Sequence, residues 1–185
     1  MEKGKIIFLN GVSSAGKTTL AKALQAKLPE PFFWIALDTF FDIVPEKYKN
    51  RDSLPILRKF TFGMRNTIKV FSDIGLNTIV DDVLEMPQEV EECVEVLHEN
   101  PVLFVHVTCP LEELRRREKE RGDRQIGQAE MQLPYLSPRD NTYDITIDTF
   151  ANTKEECANK IIEMLNYPEK FTAFKILWEQ MQNKK

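Results

Sequence analysis

Apolar positions along the chain switch between two periods. Short solid runs, "IIFLN", "FFWIAL", "NTIV" and "VLFVHVT", alternate with stretches where apolar residues recur every three or four positions. Solid runs of that length read as strands buried on both faces, and the longer period reads as amphipathic helix. Their alternation predicts an α/β fold with a mainly parallel sheet. A first strand is expected over residues 5–10, then a helix over about 17–28 with Leu20, Leu24 and Leu28 on one face. "LPEPFF" ends that helix, since proline cannot continue it. "FFWIAL" is the second strand, running up to Asp38. The next stretch, with Pro45, Pro55 and mixed charges, resists assignment, and a helix is expected from about 62 to 74, stopped by Gly75.

"NTIVDD" is a third strand ending in two aspartates. "PQEVEECVEVLHEN" predicts a helix with proline at its start, acids in its first turn and an apolar stripe of Val90, Val94 and Leu97. "VLFVHVTC" is a fourth strand, and "PLEELRRREKERG" a helix carrying the i,i+4 pairs Glu112–Arg116 and Glu113–Arg117. "YDITIDT" is a short fifth strand. Thr153 and Glu156 have capping-box spacing for a helix to about residue 166, and "KFTAFKILWEQMQ" forms one more. The expected organisation is a domain over 1–166, with a substrate-side insertion at about 40–75 and a lid at about 116–140. A helical extension covers 167–185. Its apolar stripe fits either packing on the domain or a homo-oligomer contact.

Composition narrows the classes. A chain of 185 residues, 42% hydrophobic and 29% charged, suits one domain with its own core. A net charge of −4 supplies no field toward nucleic acid or anionic lipid, so neither is an expected partner. No apolar run approaches the roughly 18 residues that span a bilayer. "MEKGK" leads straight into a strand without a secretory leader, and Cys93, Cys109 and Cys157 are odd in number with no CxxC spacing. A cytoplasmic protein with reduced thiols is expected. His98 and His106 belong to no metal-binding cluster.

The chemistry sits where the first strand meets the first helix. Gly11, Gly16, Lys17 and Thr18 satisfy G-x-x-x-x-G-K-[ST] in the strand–helix context that this motif requires. Small residues let backbone N–H groups curl around phosphate oxygens, and the helix start adds its positive end. Ser13, Ser14, Ala15 and Thr19 fall within or beside this cradle. Lys17 reaches toward β- and γ-phosphates of ATP, and the Thr18 hydroxyl suits Mg2+. In parallel sheets ligands gather at the carboxyl ends of strands. Asp38 stands there after the second strand, as an orienting group and base for an acceptor hydroxyl. Asp81 and Asp82 stand there after the third. Asp81 is taken for the metal and Asp82 for substrate contact, although the reverse also fits the spacing. Arg121 and Arg124 flank a "GD" turn, from which they project over transferring phosphate. Arg116 and Arg117 are explained by their neighbouring acids on a solvated face. Phe40, Phe41, Tyr48, Arg58, Phe60, Phe62 and Arg65 fall in the expected acceptor wall, where the aromatic residues also read as simple core.

"SSAGKT", "LPEPF" with its following "DTF", "DDV" and "RGDR", together with "YDITIDT", resemble the chloramphenicol phosphotransferase-like proteins over about residues 6–165. The resemblance implies a P-loop kinase with a parallel five-stranded sheet of order 2-3-1-4-5, moving the γ-phosphate of ATP to a hydroxyl of a small molecule. It implies Asp38 as base and a lid arginine, Arg121 or Arg124, near the phosphates. The chain departs from the family at "SPRDNTYD", which lacks a histidine and glycine often found there. A nucleoside or nucleotide kinase is the nearest rival, kept open by Arg58 and Arg65. A nucleotide-regulated ATPase or binding protein is a third reading. No N-K-x-D guanine motif occurs, which disfavours a GTPase.

Overall fold

The structure, a computed structural model, describes residues 2–49, 54–122, 126–136 and 142–184. Five strands, β1 (Ile6–Asn10), β2 (Phe32–Ala36), β3 (Asn77–Asp82), β4 (Val102–Thr108) and β5 (Ile145–Asp148), form one parallel sheet in the order β2-β3-β1-β4-β5. The central β1 has all five residues buried, which explains its uninterrupted apolar run. Its side chains alternate between two cores. Ile7 and Leu9 join the cluster under α1 (Lys17–Lys27) and α7 (Lys154–Met164). Ile6 and Phe8 join the cluster under α3 (Leu54–Asp73), α4 (Pro87–Leu97) and α8 (Ala173–Asn183). On the second side Phe8 meets Phe104 edge-on at 5.7 Å between ring centroids, and Phe174 closes the group at 5.0 Å from Phe104.

The helices begin and end where local chemistry directs. Thr153 and Glu156 form the expected capping box of α7. Gly122 closes α5 (Leu111–Arg121) at φ 69°, a left-handed conformation that glycine adopts without cost. Three elements differ from expectation. The second strand stops at Ala36, and Leu37–Phe41 turns at once into a short helix, α2, with Asp38 in its first turn. Helix α3 starts at Leu54, well before the expected 62. Pro55 falls in its first turn, where no intrahelical N–H is needed, so it opens the helix and does not break it. Phe60 on that added length packs against Phe40 and Phe41 at 5.5 and 5.6 Å.

Helix α6 (Gln128–Leu136) was not anticipated; its sequence holds Pro134, and its start is secured from a distance. Buried Glu118 of α5 accepts the N–H groups of Gly127 and Ala129, both at 2.8 Å. Of the expected pairs on α5, Glu113–Arg117 forms at 2.8 Å, whereas Arg116 turns to Glu113 and Glu120 instead of Glu112. The C-terminal helix α8 lays Ala173, Phe174 and Leu177 into the core, and Trp178 stacks on His98 at 3.9 Å. Asp144 fastens its start by accepting from Thr172 and Ala173 N–H while also holding Phe104 N–H of β4. The apolar stripe of the tail is thus spent on its own chain, and a homo-oligomer contact through it finds no support. No helix among the described residues is long and apolar enough to cross a membrane.

Leu24, fully buried between α1 and the sheet, should lose about 2–5 kcal/mol of stability as Leu24→Ala, from lost burial plus a residual cavity. Ile43→Ala, at a site 70% exposed, should stay within about 0.5 kcal/mol. Urea denaturation of both variants checks the contrast.

Candidate functional site

The turn from β1 into α1 is shaped by close approach. A Cβ on Gly11 would lie 2.3 Å from the Val107 carbonyl oxygen, so only glycine lets the loop leave the sheet there. Ser14 and Gly16 take positive φ values of 61° and 97°, which fold the loop back over the helix start. Lys17 lies along the inside, its Nζ donating to the carbonyls of Gly11 at 2.9 Å and Val12 at 3.2 Å.

Neighbouring strands fasten the loop from both sides. Thr18 Oγ1 donates to Asp81 Oδ2 at 2.8 Å, and Asp81 Oδ1 stands 3.8 Å from Lys17 Nζ. On the β5 side Thr149 Oγ1 donates to the Ala15 carbonyl at 2.7 Å and accepts from Arg117 at 3.0 Å. Arg117 reaches the Thr149 and Ser14 carbonyls as well, while Glu113 grips its Nε. Two arginine contacts hold the Glu113 carboxyl well below the usual carboxylate range, at about 2. Gln132 of α6 closes the third side, accepting the Ser13 N–H through Oε1 at 2.6 Å and donating through Nε2 to Glu85.

These elements enclose a cleft of about 900 Å³. Ser13, Ser14, Gly16, Lys17, Thr18 and Thr19 line it, with Ala15 just behind, and Asp38 and Asp81 line it as well. Arg121 lines it too, as does Arg58. Arg124 lies outside the described residues. Three placements change the sequence picture. Arg117, read as a surface cation, lines the cleft one helical turn from Arg121, and that i,i+4 spacing was the available signal. Arg65 is 2% exposed and bonded to Glu92 at 2.8 Å, so it is not on the acceptor wall. Asp82, proposed for substrate contact, does not line the cleft. It follows Asp81 on a strand, so the two carboxylates leave opposite faces of the sheet. Thr149, Gln132 and Glu85 were missed; only Thr149, just past a strand's carboxyl end, could have been found by position.

Asp82 is 1% exposed, with one oxygen accepting Val83 N–H at 2.7 Å. Burial pushes its carboxyl up to about 6, opposed by the charge of Arg65. The three thiols are buried, and burial raises each above its ordinary value, so Cys157 at the cleft is no ready nucleophile. No group of three or more His, Cys, Asp or Glu suited to a metal ion exists among the described residues. Thr18 and Asp81 do supply two hard oxygen donors side by side, the type that a partly hydrated Mg2+ takes.

The family model described as chloramphenicol phosphotransferase-like protein matches residues 4–166. A Mycobacterium tuberculosis protein provisionally named an O-phosphotransferase is 33% identical over 187 residues, covering 88% of this chain and 83% of its own length. An adenylyl-sulfate kinase of Clostridium acetobutylicum is 25% identical over 175 residues, covering 89% of this chain and 84% of its own. Among solved structures, the Mycobacterium tuberculosis APS kinase in complex with AMPPNP and APS superposes with a TM-score of 0.72 at 16% identity. That match covers 90% of this chain and 99% of the other. The fold is that of the P-loop kinases.

Because the Asp82 carboxyl is raised in the folded state, the native protein binds the proton more tightly than the unfolded chain. Its contribution to stability therefore falls as pH rises from about 4 to about 6, by on the order of 2–3 kcal/mol, and is flat above. Urea midpoints across pH 4–7 should show this slope relative to an Asp82→Asn protein, in which it is absent. Parallel profiles for the two proteins would overturn the assignment.

Proposed function

The chain belongs to the chloramphenicol phosphotransferase-like family, and from that premise we propose that it moves the γ-phosphoryl group of ATP to a hydroxyl of a small molecule. The observation that carries this reading is that Lys17, the Thr18–Asp81 pair and Asp38 line the same cleft. A regulatory ATPase has no need of a walled cavity for a second molecule beside the phosphate loop.

Each group has a task. Backbone N–H groups of the loop beyond Ser13, whose own is held by Gln132, and the start of α1 hold the phosphates. Lys17 moves from its loop carbonyls to the β- and γ-oxygens. Thr18 and Asp81 would hold Mg2+, which when bound offsets charge on the β- and γ-phosphates. Arg117 and Arg121 meet the charge that spreads over the transferring group. Arg117 arrives already oriented by Glu113 and Thr149, so little side-chain freedom is lost on use. Asp38 lines up the acceptor hydroxyl and takes its proton. The acceptor oxygen forms its bond to the γ-phosphorus while the bond to the β,γ-bridging oxygen breaks, and ADP leaves with that electron pair. The nucleotide-kinase alternative loses one of its two supports, because Arg65 is committed to Glu92.

Purified protein with Mg-ATP and a panel of hydroxyl compounds, including chloramphenicol, nucleosides and adenylyl sulfate, should yield a phosphorylated product by mass spectrometry. Lys17→Ala and Arg117→Ala should each lower transfer by about 10²–10³-fold. Arg116→Ala, on the exposed face of α5, should leave it within about twofold. Asp38→Asn should cost about 10²–10⁴-fold while ATP affinity holds. Undiminished transfer by that variant would remove Asp38 as the base.

A further inference from the structure

The walls of the cleft differ in charge. Lys17, Arg117 and Arg121 gather on the loop side, where phosphates belong. Toward β2, α2, α3, the turn from β3 to α4 and the first turn of α4, the described lining residues supply three carboxylates, Asp38, Glu85 and Glu89, against one cation, the exposed Arg58. With Asp38 assigned to the reacting hydroxyl, Glu85 and Glu89 remain beside an apolar lining of Trp34, Leu37, Phe41 and Leu57.

Glu85 is held in place with acceptor capacity to spare. Its backbone N–H donates to Glu89 Oε2 at 2.8 Å, and Met86 N–H donates to the same oxygen at 3.0 Å, which ties Glu89 to the turn that carries Glu85. Gln132, only 5% exposed, gives its oxygen to Ser13 N–H and its nitrogen to Glu85 Oε1. With both ends committed, this amide cannot turn round, so the Glu85 carboxylate keeps one orientation at the edge of the cleft. An ionised carboxylate only accepts hydrogen bonds, and its strongest partner is a cation that donates them. A phosphate, sulfate or carboxylate on the acceptor would meet like charge in a half-enclosed apolar site, where screening is weak.

Resting on the phosphotransferase reading above, we infer that the acceptor is an amino alcohol: an apolar-bodied hydroxyl compound whose ammonium group pairs with Glu85. Asp38 receives the proton of its hydroxyl, and Glu85 selects the molecule by charge. Gln132 ties that selection to the phosphate loop, because the amide that orients Glu85 also holds Ser13 N–H.

The test uses one apolar-bodied alcohol scaffold carrying an amine, a hydroxyl or a carboxylate at the same position. Binding is measured by calorimetry with AMPPNP and Mg2+ present, and transfer by mass spectrometry with ATP. The amine member should bind at least about tenfold more tightly than the hydroxyl member, and the carboxylate member most weakly. Glu85→Gln, which preserves shape, should lower amine affinity about tenfold and leave the hydroxyl member within about twofold. Unchanged circular dichroism confirms that the variant is folded. Equal or tighter binding of the hydroxyl or carboxylate member, an unaltered ranking in Glu85→Gln, or no binding by any member would each overturn the inference. The ranked binding without transfer would instead defeat the phosphotransferase reading, and only the selection of an ammonium group by Glu85 would stand. Transfer with a preference for the carboxylate member would do the reverse.

Discussion

The period-two alternation of a buried parallel strand governs the site. Asp81 pairs in register with Leu9 and Asp82 with Asn10, the last residues of adjacent strands. One residue of difference sends the first carboxylate to Thr18 and Lys17, and the second to the opposite core beside Arg65. A slip of one position in that pairing would exchange the two, placing Asp82 under the phosphate loop and Asp81 in the opposite core. The solid apolar packing on both sides of β1 specifies the register, because every side chain of the strand has a fitted place in one of two cores.

Around that centre the loop is held by groups from three elements that are distant in sequence. Asp81 comes from β3, Thr149 from the end of β5, and Gln132 from α6. Each bonds a different part of the same short turn. The positive φ values of Ser14 and Gly16 are therefore supported on all sides, as such conformations need to be. Arg117 adds a charged strut from α5, and Glu113 sets its direction. A cradle prepared in this way gives up little order on meeting a ligand, which is the main entropic cost of tight recognition.

Much of the fold was legible because the signals are local. Strand runs, the capping box at Thr153 and the glycine at 122 depend on neighbours within a few residues, and the family resemblance that the motifs carry implied the sheet order. What escaped depends on distant partners. Helix α6 begins where Glu118 receives its N–H groups, and nothing within "GQAEMQLPYL" announces that. Arg117 looked spent on an adjacent acid; in fact the acid orients it toward the loop. Arg65 looked like an acceptor-wall cation because its partners, Glu92 and the charge of Asp82, come from other elements. Proline was over-read at residue 55, where position within the first turn decides its effect.

Helix α8 carries a consequence for the order in which the molecule is made. Phe174 and Leu177 complete the aromatic side of the sheet that Phe8 and Phe104 begin, yet they are among the last of the described residues to be synthesised. Until they leave the ribosome, the face of β1 and β4 that they cover has no lid of its own, and Asp144 waits for the N–H groups of Thr172 and Ala173. From the completion of β4 to that of α8 the nascent chain carries this apolar surface only partly covered, a period in which chaperone capture competes with completion of the core.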